Sequence, residues 1–480
     1  MVRLICCALP FVLTVAGCGL LPLYSSTNVE YNASDYPTGS PPVTIASSTV
    51  DPGHRGRSDT LVILAFSGGG SRAAYLSAKV MFALEKRFYQ EDKHILDEVD
   101  AISSVSGGSL PAAYFAVTKD PDDEGPWRLW NERKVLKAMQ KNYIRRWFLN
   151  WFWPQNFLRY WLTDFDRTDI MAQTFADNMF DKRGFQIDYT IGELNPERPN
   201  LVLNATNATA GKVSIEHHEA KYLSKQSLEH TDIPGGRTSF GRPFRFTEEE
   251  FQQIHSDIRD YSLARAVMAT AAFPAVFNYM TLRDYSREDE PEKRFVHLFD
   301  GGSSDNQGLS GVLQILQDSE CKKNTSRNDG NCERTYEKVI VILVDAYTGT
   351  GGVNAEDSDG RSFVDFVLDT NFIDATDSLL FSNRDQRTSR FFEAFEAYLP
   401  ASDKGIYYHI TLEDVDDEET RTRAQNVGTN FSLSKVNAKA LDDAVDDLMK
   451  PENRCLQAIA ALLRHGHHDA KPHCKLPPRD

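Results

Sequence analysis

Ser106 is the residue best suited to nucleophilic chemistry. It lies in Ser104-Val105-Ser106-Gly107-Gly108, between a predicted strand and a predicted helix, and this segment matches G-x-S-x-G with Ser104 in the first glycine position. Small neighbours permit the sharp turn that exposes the hydroxyl, and amides at the start of the following helix can stabilise developing negative charge. The motif is short and similar runs occur in ordinary loops, so the prediction of a nucleophile depends on the residues that could act with it.

Two glycine-containing turns could supply those partners. Gly68, Gly69 and Gly70 follow an apolar run, and consecutive glycines let backbone N–H groups converge as an oxyanion hole. The same turn fits a Rossmann Gly-x-Gly-x-x-Ala pattern, but no strand ending in Asp or Glu lies at the usual distance, and the absence of Gly-Lys-Ser/Thr excludes a P-loop. Asp300 ends another predicted strand and precedes two glycines. It is either a base that takes the serine proton or an aspartate that caps a turn.

Apolar runs alternate with helical patterns around these turns. Strands are predicted at residues 61–66, 201–204, 294–299 and 338–344, and helices at 73–88 and 110–117. This alternation predicts an α/β fold of three layers, α/β/α, in which a mainly parallel central sheet has helices on both faces. Ligands of such sheets bind at the carboxyl ends of the strands, where we expect all three turns, 67–72, 104–108 and 300–302.

The three motifs, in this order, resemble those of the patatin-like phospholipase family, G-G-G-x-R/K-G, G-x-S-x-G and D-G-A/G. The resemblance spans residues 61–450, with Ala73 and Ser104 in place of two glycines. It implies a patatin-like fold and a serine acyl hydrolase that cleaves carboxyl esters of glycerolipids, of phospholipase A or lysophospholipase type. It also implies a dyad of Ser106 as nucleophile and Asp300 as base, without histidine, metal or cofactor. The oxyanion loop implied by the resemblance consists of Gly68, Gly69, Gly70, Ser71 and Arg72.

Two other functions stay open. A Ser106–Asp345–His409 triad would follow the Ser…Asp…His order of another class of carboxylesterase, although Ser67 stands where that class usually has a histidine. The second is a non-catalytic lipoprotein that binds lipid or a partner. The formal net charge of −16 argues against a nucleic-acid binder, because phosphate backbones need clustered Lys and Arg. The resemblance implies a lipid ester and a membrane surface as partners, and the sequence gives no indication of protein partners.

The N-terminus resembles a bacterial lipoprotein signal. Arg3 precedes a short apolar run, whose last residues, ending at Cys18, resemble a lipobox. The resemblance implies removal of residues 1–17 and acylation of Cys18, and Gly19 in place of Asp favours the outer membrane of a bacterial envelope. An ordinary signal peptide is the alternative. Residues 18–59 are rich in Ser, Thr, Pro and Gly and are predicted to form a tether.

The remaining chain is interpreted as a hydrolase domain, residues 60–450, with a helical, Trp-rich insertion at 120–185 and a C-terminal tail, residues 451–480. The histidines of the tail fit no strict metal-ligand spacing. After removal of residues 1–17, four cysteines remain besides Cys18. This even number suggests disulfides in an oxidising compartment, with four unrelated thiols as the alternative. Their close spacings favour the pairs Cys321–Cys332 and Cys455–Cys474.

All six tryptophans lie between Trp127 and Trp161, where aromatic residues recur at helical spacing beside Arg145 and Arg146. Three interpretations of this segment stay open: a lid, an interfacial helix that faces lipid, or a buried helix. The buried helix is favoured, because apolar periodicity usually marks a core.

Overall fold

The structure is a computed structural model. It describes residues 28–32, 59–88, 95–120, 124–125, 127–181, 188–209, 241–274, 276–287, 295–320, 336–348, 384 and 388–474. The predicted signal, Cys18, Cys321 and Cys332 lie outside the described residues, as does most of the predicted tether.

The described strands are β1 (Val29–Glu30), β2 (Thr60–Phe66), β3 (Ala101–Val105), β4 (Thr118–Lys119), β5 (Arg128–Leu129), β6 (Asn200–Asn207), β7 (Arg242–Phe246), β8 (Ser256–Asp257), β9 (Met280–Arg283), β10 (Phe295–Asp300), β11 (Lys338–Asp345), β12 (Gly405–Thr411) and β13 (His473–Cys474). Nine of these described strands form the main sheet, in the order β13-β12-β11-β2-β3-β6-β10-β9, with β7 paired to β6, and the other four form two short pairs outside it. Pairing in the main sheet is parallel from β13 to β6, whereas the β6–β7, β6–β10 and β10–β9 pairs are antiparallel.

Helices cover both faces of this sheet. They are α1 (Gly70–Arg87), α2 (Ser109–Ala116), α3 (Glu132–Met139), α4 (Tyr143–Trp151), α5 (Pro154–Leu162), α6 (Arg167–Phe175), α7 (Glu248–Gln253), α8 (Leu263–Thr270), α9 (Gly302–Asp305), α10 (Leu309–Glu320), α11 (Glu418–Gln425), α12 (Lys435–Leu448) and α13 (Arg454–His465). Residues 388–398 are also helical. Shorter helical turns are the 3₁₀ segments Ile95–Glu98, Ser106–Gly108, Ile191–Glu193, Tyr285–Arg287 and Leu412–Asp414, and the π segment Ala176–Phe180.

Strand β2 shows why the fold has three layers. Its side chains alternate between two hydrophobic cores: Leu61 and Ile63 pack on the side of α10, and Val62 and Leu64 on the side of α1. Every residue of this strand is buried, as expected where helices cover both faces of a parallel sheet. The predicted three-layer α/β/α class with a mainly parallel sheet is confirmed.

Two predicted boundaries are wrong. The predicted tail belongs to the fold through residue 474, because α13 buries the apolar stripe that includes Leu456 and Ile459 and β13 pairs in parallel with β12. A disulfide joins Cys455 to Cys474, with the Cα atoms 5.6 Å apart. At the other end, β1, within the predicted tether, pairs with β8 and so lies against the folded domain.

The Trp-rich insertion is a set of four helices, α3 to α6, and it is core only in part. Val135, Met139, Tyr143 and Phe175 are buried, whereas much of the apolar surface of α4 and α5 is exposed. In the described part of the chain, no helix has both the length and the apolar character needed to cross a bilayer.

Candidate active site

Ser106 sits on a strained turn directly after β3. Its φ is +48°, in the left-handed region that non-glycine residues rarely adopt, and it begins a 3₁₀ turn that continues into α2. Ser104, in the first position of the motif, is fully buried in β3. Gly107 is required by contact, because a Cβ there would lie 2.1 Å from the carbonyl oxygen of Gly70. The turn thus exposes the Ser106 hydroxyl between two closely packed backbone segments.

The pairing of β6 brings Asp300 to Ser106. Residues 200–204 of β6 pair with β3, and residues 205–207 pair with β10. Since β7 occupies the other edge of β6, β3 and β10 meet end to end along the same edge from opposite directions. Asp300, the last residue of β10, lies opposite Ala205, and Val105, the last residue of β3, lies opposite Asn204. Asp300 ends a strand, as predicted, but that strand is antiparallel to β6, and the two side chains meet because β3 and β10 approach each other end to end.

The two predicted catalytic side chains are hydrogen-bonded. Ser106 Oγ donates to Asp300 Oδ2 at 2.9 Å, and the backbone N–H of Gly302 donates to Asp300 Oδ1 at 2.7 Å. Asp300 is 7% exposed, and its carbonyl oxygen accepts from Thr206 Oγ1 at 2.9 Å. One carboxylate oxygen is thus fixed by the backbone and the other faces the serine hydroxyl, the geometry that proton abstraction needs.

The glycine turn after β2 lies beside this pair. A Cβ on Gly68 would be 3.4 Å from the Ser106 Cβ, so the turn and the nucleophile are in contact. Gly69 and Gly70 have φ values of +137° and +59°, which only glycine adopts readily. Gly70 also begins α1, an 18-residue helix whose N-terminus favours negative charge nearby.

The five predicted oxyanion residues divide into two groups. Three bind backbone carbonyls: Gly68 N donates to Asn306 (2.9 Å), Ser71 N to Asn430 (2.7 Å) and Arg72 Nη1 to Val427 (2.6 Å). The backbone amides of Gly69 and Gly70 have no acceptor within the described residues. The amides of Gly68 and Ser71 and the Nη1 donor of Arg72 thus hold the turn in place, which leaves the Gly69 and Gly70 amides as the donors of this turn that are available to an oxyanion. Sequence reasoning missed Asn306 and Asn430, since they act through carbonyl oxygens that every residue type carries.

Asp345 and His409 form a separate buried cluster. Asp345 Oδ2 lies 3.0 Å from His409 Nε2, 2.9 Å from Arg384 Nη2 and 2.9 Å from Gln307 Nε2. Strands β11 and β2 separate the strand of His409 from β3, so three spacings of about 4.8 Å place His409 roughly 14 Å from β3. The alternative triad is therefore wrong: its acid and histidine meet, but the nucleophile pairs with Asp300.

The charge state of the Asp345 cluster follows from its contacts. Burial alone would raise the pKa of the Asp345 carboxyl, but the Arg384 guanidinium and the His409 and Gln307 hydrogen bonds outweigh it and hold this pKa well below its usual range. Asp345 is therefore a buried anion that pairs with the Arg384 guanidinium. Among the residues that the structure describes, no three His, Cys, Asp or Glu side chains are grouped so as to hold a metal ion.

Comparison with known families identifies this arrangement. A family model described as patatin-like phospholipase matches residues 64–313, just over half of the chain, and the match contains Ser106, Asp300 and the glycine turn. The chain belongs to the patatin-like phospholipase family. Membership places the patatin-like domain among lipid ester hydrolases.

Solved structures give weaker likenesses. Human GIVD cytosolic phospholipase A2 matches with 11% identity and a TM-score of 0.43, over 84% of this chain and 60% of that one. The same human protein in complex with methyl gamma-linolenyl fluorophosphonate and terbium chloride has 11% identity and a TM-score of 0.41, over 85% of this chain and 60% of that one. VipD from Legionella pneumophila has 12% identity and a TM-score of 0.29, over 88% of this chain and 71% of VipD. The patatin-like chain thus spans three fifths of the human protein's length, and no curated protein matches it in sequence.

Proposed function

We propose that the protein is a membrane-anchored serine lipid acyl hydrolase, of phospholipase A or lysophospholipase type, that uses a Ser106–Asp300 dyad. The observation that carries the proposal is the 2.9 Å hydrogen bond from Ser106 Oγ to a carboxylate whose other oxygen is held by Gly302 N. The family match supports the class of substrate, carboxyl esters of glycerolipids.

In the first half-reaction, Asp300 takes the hydroxyl proton as Ser106 Oγ attacks the ester carbonyl carbon. The carbonyl oxygen becomes an oxyanion, and the Gly69 and Gly70 amides at the start of α1 are the donors available to it. Asp300 then returns the proton to the departing alcohol, which leaves the acyl group on Ser106. No histidine takes part, because the hydroxyl and the carboxylate are already in direct contact.

In the second half-reaction, a water molecule attacks the acyl-enzyme carbonyl and gives its proton to Asp300. The same two amides stabilise the second oxyanion, and the proton passes from Asp300 to Ser106 Oγ as the fatty acid leaves. The free enzyme is restored with a proton from water on Ser106 Oγ, because the original proton left with the alcohol, and the cycle consumes one water and one ester.

The test is hydrolysis of a lipid panel by the wild type, Ser106→Ala, Asp300→Asn and the double variant. Each single variant should lose about 10²-fold or more in turnover, and all three should reach a similar floor because the two groups act as one unit. His409→Ala should keep most of its activity and serves as the matched control. Retained turnover in Asp300→Asn would refute the dyad, and a wild type inactive on every ester would favour a lipid-binding lipoprotein.

The anchor is a separate part of the proposal. Its support is the lipobox-like segment that ends at Cys18, and each acyl CH₂ that enters a bilayer contributes about 0.8 kcal/mol. Acylation would hold the enzyme in a bacterial envelope, and Gly19, in place of Asp after the cysteine, favours the outer membrane. Cys18→Ser should release the protein from membranes in a fractionation experiment, and unchanged tight association would contradict the anchor.

A further inference from the structure

Helices α4 and α5 carry an unusual concentration of exposed apolar side chains. Eight of the thirteen large apolar residues that are exposed in the described part of the chain lie within residues 144–161. Their exposed fractions run from 39% for Ile144 to 64% for Trp161. We call this set the apolar patch; its members are Ile144, Phe148, Leu149, Phe152, Trp153, Phe157, Leu158 and Trp161.

The opposite faces of these helices are fixed to the protein. Tyr143 is buried, and Trp147 Nε1 donates to the Arg167 carbonyl oxygen at 2.8 Å. Rings of Trp151 and Tyr160, 4.9 Å apart, join α4 to α5. The patch is therefore the outer surface of an anchored helical pair.

Two chains of contacts connect this helical pair to the catalytic site. In the first, Tyr143 N donates to the Phe431 carbonyl at 2.9 Å, and the neighbouring Asn430 carbonyl accepts from Ser71 N in the oxyanion loop. In the second, Trp147 packs on Phe277, with ring centroids 5.8 Å apart, and Phe277 in turn packs on Phe431. The helical pair that carries the patch is thus in contact with the elements that shape the catalytic turn.

Charge distinguishes this region from the rest of the chain. Residues 132–162 contain seven Lys and Arg but one acidic residue, Glu132, in a chain with a net charge of −16. Arg145 and Arg146 are exposed on α4 next to the patch. Exposed Trp, Phe and Leu beside arginines are the composition of helices that lie in the headgroup region of anionic bilayers.

We propose that the apolar patch docks on an anionic phospholipid bilayer and delivers lipid esters from it to Ser106, an inference that rests on the proposed function. Helices α4 and α5 have nine residues each and are about 14 Å long, less than half of the ~30 Å hydrocarbon core of a bilayer. They therefore lie in the membrane interface and do not span the bilayer. The patch is a second membrane contact, independent of acylation at Cys18.

Vesicle binding tests the proposal in a background where all proteins carry Cys18→Ser and Ser106→Ala, which removes the anchor and hydrolysis. The probe is vesicles of phosphatidylglycerol and phosphatidylcholine, and co-sedimentation measures binding. Phe152→Asp with Trp161→Asp should weaken binding at least tenfold, and the matched control Val436→Asp, at a residue 79% exposed on α12, should leave it unchanged. Because four of the six tryptophans lie in α4, α5 and the turn between them, binding should also shift the intrinsic fluorescence to the blue.

Activity on a soluble monomeric ester separates this proposal from the proposed function. With Ser106 restored, Phe152→Asp with Trp161→Asp should hydrolyse the soluble ester at the wild-type rate and vesicle phospholipid at least tenfold more slowly. Equal vesicle binding by the patch variant and the control would overturn the docking proposal while leaving the dyad standing. The docking proposal would also be overturned if light scattering shows a dimer for the wild type and a monomer for the patch variant, without a change in vesicle binding. The patch would then bind a second copy of the chain.

Discussion

Gly107→Ala separates the geometry of the catalytic turn from its chemistry. Gly107 has no positive φ, so alanine adds no backbone strain there. Its Cβ would lie 2.1 Å from the Gly70 carbonyl oxygen, where real Cβ atoms stay at 3.0 Å or more. Both atoms belong to segments packed backbone to backbone, so the nucleophile turn and the oxyanion turn must separate by about 0.9 Å.

That separation sets the expected loss. A misplacement of about 1 Å in a catalytic constellation costs on the order of 10²-fold in rate, which corresponds to about 2.7 kcal/mol of transition-state stabilisation. We expect kcat/KM for a soluble p-nitrophenyl ester to fall by this factor. The substitution removes neither member of the Ser106–Asp300 hydrogen bond, so the variant should keep a measurable residual rate above Ser106→Ala.

Gly241→Ala is the matched control. Gly241 has a φ of +79° and no atom within 4 Å of an added Cβ, so the substitution adds strain of about 1–2 kcal/mol without a clash. It should lower the thermal unfolding temperature and leave kcat/KM unchanged. If Gly107→Ala keeps more than a tenth of wild-type kcat/KM with an unchanged unfolding temperature, catalysis does not depend on the close contact between the nucleophile turn and the oxyanion turn. That result would refute the reasoning.

Three further predictions concern stability. Asp345→Asn should lower the free energy of unfolding in urea by about 3–5 kcal/mol, because it leaves the buried Arg384 charge without its anion; a loss below about 1 kcal/mol would contradict a buried ion pair. Burial and two neighbouring carboxylates raise the pKa of Asp188 to about 6, so its stabilising contribution is present at low pH and lost as pH rises through 6. Asp188→Asn should therefore raise the unfolding temperature more at pH 8 than at pH 5, and an equal effect at both would be inconsistent with this shift. Cys455→Ser with Cys474→Ser should cost about 3 kcal/mol for a loop of this length, unless thiol titration finds both cysteines free in the wild type.

Local chemistry was readable from the sequence. Three glycines before Ser71, a serine between small residues and an aspartate before two glycines each predict a tight turn, because backbone conformation at these positions depends on the residues themselves. Continuous apolar runs likewise predict buried strands, since helices cover both faces of the sheet. These patterns predicted the fold class, whereas the pairing of Ser106 with Asp300 was implied by the resemblance of the three motifs, taken together, to the patatin-like family.

Only the tertiary structure decided how these parts face one another. β10 runs antiparallel to β6 and meets β3 end to end, and strand direction depends on long connections that leave no local signal. The carbonyls of Asn306 and Asn430 decide which amides of the glycine turn remain available, although carbonyls have no sequence signature. The same periodicity that fits a buried helix produces the exposed patch on α4 and α5. Periodicity fixes which residues share a helix face, and only the packing of the whole chain determines whether that face meets protein or solvent.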